Sequence, residues 1–318
     1  MDAEAGGDER DRTADPQPAR PLWVSIARAV ISRMPRGRYA VLSRWRPRRG
    51  RFVTQLGIEA GGAWFACDLG DAIAREACLT GLYEPPVTRI VQRWLPRGGT
   101  LVDAGANWGY FSLLGAAQVG PAGRVIALEP DPRQFARLRA NVALNGLTNV
   151  TALAVAAGAR EGIATLIGYA EGADNRGVSR VAEIGAAGAH YEVRCATIDA
   201  LTASCRRVDV VKIDVEGAEP DVLNGMHTGM GERRYAAIVL ELHPGLLRGG
   251  GIDPAACVEV LASHGYRGWT IDLSAHAYRM AADPRAGIER LLRPLGDWPT
   301  MTWPHLLWLA PGEPAPSC

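Results

Sequence analysis

Apolar and polar positions from Arg51 onward switch between two periods. Arg51–Ile58 and Trp64–Leu69 alternate with a period of two and predict a hairpin, with helices following over about Asp71–Gly81 and Pro86–Trp94. The pattern then becomes regular: strand Thr100–Ala104, helix Tyr110–Gln118, strand Arg124–Glu129, helix Pro132–Asn145 and strand Val150–Val155. β-rich sequence over Gly162–Thr197 leads to strand Val208–Asp214, helix Glu219–Met226, strand Ala236–Glu241 and helix Pro254–His264. Tyr266–Asp272 and His305–Leu309 predict the final strands. Apolar strands alternating with helices give an α/β class and a doubly wound, parallel sheet, in which ligands bind at the carboxyl ends of the strands. Ahead of this pattern, Leu22 to Met34 is mostly apolar, with Ser25, Arg28 and Ser32 forming a narrow polar stripe at helical spacing. A helix docked on the main body is expected there; a membrane-surface helix, or a platform for an anionic carrier or substrate, are the other readings.

Charge divides the 318 residues into three parts. Residues 1–19 carry six acids against two arginines and read as a disordered acidic tail; Arg20 to Arg51 holds ten arginines and no acid; the remainder carries a net −5. The total of +1 excludes a polyanion binder of the histone or repressor kind, so no nucleic acid is expected. Six scattered cysteines without a C-x-x-C pair or Cys/His ligand spacing predict neither a disulfide scaffold nor a zinc site. No run of eighteen apolar residues and no signal-like N-terminus is present, so a cytoplasmic chain without a transmembrane segment is expected. Of the 35 basic residues only Lys212 is a lysine.

The candidate chemistry lies at strand ends. Asp103-Ala-Gly105-Ala-Asn107-Trp-Gly109 runs from the first sheet strand into a helix. There Gly105 permits a tight turn and Gly109 lets a ligand approach the backbone. Asn107 replaces the middle glycine of the dinucleotide fingerprint, and the Asp103 carboxylate suits a cationic group better than a pyrophosphate. Glu129, at the tip of the next strand, can accept both hydrogens of a ribose diol, whereas Asp131 equally suits the cap of the following helix. Alternation places Val210, Lys212 and Asp214 on one face, with Asp214 over the cleft. Lys212, flanked by Val211 and Ile213, needs a carboxylate partner, and it reads as a proton acceptor, as the group positioning Asp214, or as part of a purely structural pair. His243 lies past the fifth strand and is the histidine that topology puts in the cleft, as a candidate base or as an ordinary hydrogen-bonding residue of the loop. His190, His227, His264, His276 and His305 read as surface or packing residues. Asp214, Glu216 and Glu241 offer carboxylates, but no spacing establishes a metal, and none is assigned.

These segments resemble class I S-adenosylmethionine-dependent methyltransferases and, more specifically, the FkbM family. The resemblance covers roughly residues 52–272. It is carried by Gly81-Leu-Tyr83-Glu84-Pro85, by Asp103–Gly109 with Tyr110-Phe111, by Asn141–Asn145 through Asn149-Val150, by Thr197-Ile-Asp199, and by Val211-Lys212-Ile-Asp214-Val-Glu216-Gly217-Ala-Glu219. It implies a Rossmann-like methyltransferase sheet, mostly parallel with an antiparallel last strand, plus an N-terminal helical and β-hairpin extension. The domain expectation is a tail over 1–19, the extension over 20–85 and the methyltransferase domain over 86–312. The implied cofactor is S-adenosyl-L-methionine, bound by Tyr83, Glu84, Asp103, Gly105, Asn107, Gly109, Glu129 and Asp214, with His243, Asp214 and Lys212 catalytic. The implied reaction is O-methylation of a hydroxylated small molecule, a natural product or sugar, phosphate-bearing or carrier-linked if the arginine stretch serves the acceptor. A nicotinamide-dependent oxidoreductase and a non-catalytic relative are the alternatives, and a homo-oligomer is left open.

Overall fold

The computed structural model describes residues 19–34, 50–168, 180–181, 189–283, 285–296 and 298–316. The acidic tail up to residue 18, and Arg36, Arg38, Arg44, Arg46, Arg48 and Arg49 of the basic stretch, lie outside the described residues. The strands are β1 (Arg51–Gln55), β2 (Trp64–Asp68), β3 (Thr100–Ala104), β4 (Arg124–Leu128), β5 (Val150–Leu153), β6 (Val155–Ala157), β7 (Gly162–Gly168), β8 (Arg180–Val181), β9 (Ala189–Ala196), β10 (Val208–Ile213), β11 (Tyr235–Glu241), β12 (Arg267–Ile271), β13 (Leu292–Pro294) and β14 (His305–Leu309). Among the described residues the main sheet runs β13-β12-β14-β11-β10-β3-β4-β5. β11, β10, β3, β4 and β5 are parallel, while β14 inserts antiparallel between β11 and β12. The expected α/β sheet with an antiparallel last strand is therefore present.

Every residue of β3 and β10 is buried, including the polar Thr100, Asp103, Asp209 and Lys212, as expected of central strands covered on both faces. Their side chains still alternate between two cores. Leu101 and Val210 pack into the layer holding Phe52, Phe65 and Leu113, whereas Val102, Val211 and Ile213 pack with Met226, Leu261 and Trp308 on the opposite face. The first layer includes Val24 and Ile31 of the N-terminal helix Leu22–Arg33, so that helix and the β1–β2 hairpin share a core with the sheet.

The structure departs from the pattern in three places. The single strand expected over Val150–Val155 is two: β5 completes the main sheet, and after Ala154 the chain turns into a second sheet of order β6-β9-β7-β8. β13 adds an edge strand that the sequence pattern misses, because its exposed Leu-Arg-Pro carries no alternation. Cys67 and Cys78 form a disulfide between β2 and helix Ala72–Thr80, against the expectation from cysteine spacing. No helix among the described residues is long and apolar enough to cross a membrane.

Candidate active site

The loop between β3 and helix Tyr110–Val119 is fixed by what surrounds it. Gly105 has φ +80°, and a Cβ there would fall on the backbone oxygen of Asp214, so the loop packs directly on the end of β10. Gly109 has φ +86°, and its Cβ position meets Leu138 of helix Pro132–Leu144. Gly109 therefore answers to helix packing, and it is not among the residues that line the cleft. Between them Asn107 adopts φ +52°, and its N–H donates to Glu129 Oε2 at 2.7 Å, while the Asp131 N–H donates to Oε1 at 2.8 Å. Glu129 thus locks the two strand-end loops together. Burial outweighs these two bonds and pushes its carboxyl up to about 8. Asp131 is the cap: its carboxylate accepts from the N–H groups of Arg133 and Gln134.

Asp103 is buried under the loop rather than in the cavity wall. Its Oδ2 accepts the Ser112 hydroxyl at 2.6 Å, while Oδ1 is buried without a hydrogen-bond partner, and burial raises its pKa. Lys212 lies beside it in register on β10 and faces the same layer, with Nζ 4.7 Å from the Phe111 ring centroid and 3.0 Å from Asp214 Oδ2. Burial would strip its proton, but Asp214 and Asp103 outweigh that and raise its pKa, so Lys212 is a fixed cation. Burial works the opposite way on Asp214, yet Lys212 and His243 hold its carboxyl below the usual range.

Beyond Asp214 the acids and histidines form a connected chain. His243 Nδ1 is 2.6 Å from Glu219 Oε1, and its Nε2 is 3.1 Å from Glu216 Oε2 and 3.6 Å from Glu241 Oε1. Glu241 Oε2 is 3.0 Å from His305 Nε2, which is 3.6 Å from Glu84 Oε1. Burial opposes charge on His243, but the bond to Glu219 and the fields of Glu216 and Asp214 raise it to about 9. Burial raises Glu216 to about 8. His305 is lifted well above its ordinary value because Glu241 and Glu84 overcome burial. The assignment of His305 as a surface or packing residue is corrected: it is buried and lines the cavity. Its signal was topological. An antiparallel strand starts where its parallel neighbour ends, so His305 pairs with Glu241 at the ligand edge.

These groups enclose a cavity of about 710 Å³ at the carboxyl ends of β3, β4, β10 and β11. Tyr83, Glu84, Gly105, Asn107, Glu129, Lys212, Asp214 and His243 are all brought to it. Glu84, Asn107 and Glu216 line it with positive φ, three of the four non-glycine cases among the described residues. Left-handed backbone at non-glycine residues persists only where the surrounding structure enforces it, and such positions cluster at functional sites. Asn141 and Asn145, part of the matching segments, act from outside the cavity. Asn141 Nδ2 donates to the Trp108 carbonyl at 2.8 Å and its Oδ1 accepts the Ala66 N–H, while Asn145 brackets both backbone groups of Trp64. They tie the hairpin to the loop.

The lining donor set fits S-adenosylmethionine. Carboxyl groups (Glu76, Glu84, Glu129, Asp214, Glu216 and Glu241) outnumber the basic side chains Lys212, His243 and His305, and Glu84 Oε2 is buried without a hydrogen-bond partner. Such a wall attracts a sulfonium and an ammonium and repels a pyrophosphate.

A mostly parallel sheet with β14 inserted antiparallel between β11 and β12, over an acid-lined cavity, defines a methyltransferase of the Rossmann-like class. The Methyltransferase FkbM domain matches residues 103–267, and the chain belongs to that family. The chain is 30% identical over 151 residues to Methyltransferase 1 of Beauveria bassiana (strain ARSEF 2860), a match covering 41% of this chain and 59% of that relative's length. It is similar in structure to Methyltransferase FkbM from Methylobacillus flagellatus KT (13% identity, 90% of this chain and 58% of the other, TM-score 0.38). It is also similar to a SAM-dependent O-methyltransferase from Thermotoga maritima (13% identity, 74% and 68%, TM-score 0.38).

Proposed function

We propose that this protein transfers a methyl group to a hydroxyl of a small molecule, a natural product or sugar, with residues 86–312 as the methyltransferase domain and 20–85 as its extension. The observation that carries the reading is the Glu219–His243–Glu216 array, which puts a carboxylate-oriented imidazole in the cavity wall beside Asp214. Bound S-adenosylmethionine supplies an electrophilic methyl group. Asn107 and Glu129 offer the ribose site, and Glu84 and Asp214 offer negative charge to the cationic groups. Lys212 is a positioning residue that holds Asp214 in place. Glu219 keeps the His243 ring oriented through Nδ1, leaving Nε2 and Glu216 to take the hydroxyl proton as the oxygen forms its new bond. Both must be unprotonated to act, and with His243 raised to about 9 and Glu216 to about 8 the rate rises with pH toward that range. Alignment of the acceptor within a walled cavity supplies the larger share of the rate, and proton removal the smaller.

The test is product analysis with methyl-labelled cofactor and a panel of hydroxylated metabolites. An acid-stable O-methyl ether is expected, with kcat falling by about 10²–10⁴ in His243→Ala while cofactor affinity is kept. N- or C-methyl products would overturn the acceptor atom, and cofactor binding without turnover on any class of acceptor would favour a non-catalytic relative.

A further inference from the structure

The N-terminal helix is turned inside out. Arg28 points into the protein: its Nη1 donates to the Gln55 carbonyl at 2.6 Å, and its guanidinium packs over Gly81. Val24 and Ile31 are buried beside it. The outward face is apolar. Leu22, Ile26 and Val30, at i, i+4 and i+8, are 77%, 58% and 57% exposed, and Trp23 next to them is 42% exposed. On the loop three residues past Gln55, Ile58 is 87% exposed. Sparse exposed apolar side chains need no explanation, but a stripe along a whole helix does.

Charge selects what covers it. The sequence from Arg20 to Arg51 holds ten arginines and no acid, while the rest of the chain after residue 51 is net acidic. An apolar helix face joined to a polybasic run is matched by a surface that is apolar inside and anionic at its rim. We infer that helix Leu22–Arg33 seats the protein on an anionic phospholipid bilayer, with Leu22, Ile26 and Val30 entering the headgroup region.

This surface is independent of the acceptor chemistry. It is nevertheless one helix away from the cavity: helix Ala72–Thr80 packs against the N-terminal helix and lines the cavity with Ala72, Ile73 and Glu76.

The experiment is co-sedimentation of the full chain with phosphatidylcholine vesicles, with and without about 30 mol% phosphatidylglycerol. Binding is expected only with the anionic lipid, weakening as salt rises, and at least about tenfold weaker in a Leu22→Gln/Ile26→Gln/Val30→Gln variant. Calorimetric cofactor affinity, expected to be unchanged, reports that the variant is folded. Three results would overturn the inference: no binding to anionic vesicles at low salt, equal binding by the variant, or a wild-type dimer in solution that the variant dissolves without any vesicle binding.

Discussion

The two walls of the cavity hold their carboxylates by different means. On the β3–β4 side Glu129 is satisfied by two backbone N–H groups, both supplied by loops within 22 residues of it. On the β10–β11 side Asp214, Glu216, Glu219, Glu241 and Glu84 stand against Lys212, His243 and His305, side chains gathered from distant segments, and Glu84 Oε2 and Glu219 Oε2 have no hydrogen-bond partner. A backbone-held carboxylate is rigid and its partners do not titrate. A side-chain network can move protons but depends on every member. The first wall suits holding a cofactor and the second suits chemistry.

The hardest test of this contrast removes the cation of the second wall. Lys212→Met leaves Asp214 and the buried Asp103 without their shared counter-charge, and should cost about 3–5 kcal/mol in denaturant unfolding. An unchanged midpoint would show that the network does not need it. Lys212→Arg keeps the charge but not the compact shape, so retained stability with reduced kcat would separate positioning from mere packing.

On the first wall, Glu129→Ala orphans two buried N–H groups and removes the diol acceptor. Calorimetry should show cofactor affinity falling about 10- to 100-fold, with stability falling by about 1–3 kcal/mol. Glu129→Gln sharpens the point through pH. Burial raises the folded carboxyl from 4.5 to about 8, so the stability linked to its proton is fully present below about pH 4.5 and is lost as pH rises through 8. Thermal unfolding followed across that window should flatten in Glu129→Gln.

A smaller effect is expected from Glu219→Gln. Without the anion at Nδ1 the His243 pKa falls from about 9, so the rising limb of the pH–rate profile moves to lower pH, while the looser ring lowers the plateau by about tenfold. A limb that stays in place would remove His243 from the proton path. The smallest effect belongs to His305→Gln, which keeps a hydrogen-bond donor near Glu241 but loses the charge. A rise of a few-fold in KM is expected, read in steady-state kinetics.

The same contrast explains what the sequence could disclose. The first wall was legible because its determinants are local: a strand end, Asn107 in a turn and Glu129 at the next tip all lie within one βαβ unit. Lys212 and Asp214 were legible through alternation, since two residues on one strand share a face. The second wall was legible only in part. His243 follows a strand that could be assigned, but Glu219 and Glu216 reach it across a loop and a helix start, and their partnership is a matter of register between β10 and β11. His305 was missed because its position depends on strand order rather than on its neighbours. The split of Val150–Val155 into β5 and β6 was hidden for a related reason, as nothing in a short apolar run marks where a chain changes sheet.

Strand β14 carries a consequence for how the protein comes into being. It fills the interior of the sheet, between β11 and β12, although nearly all of the chain precedes it. During synthesis β11 therefore waits with an unpaired edge while some sixty residues are added, and β12 can pair only with the short β13 until β14 arrives. The last strand to emerge closes that edge and, through His305, completes the wall of the cavity in the same event.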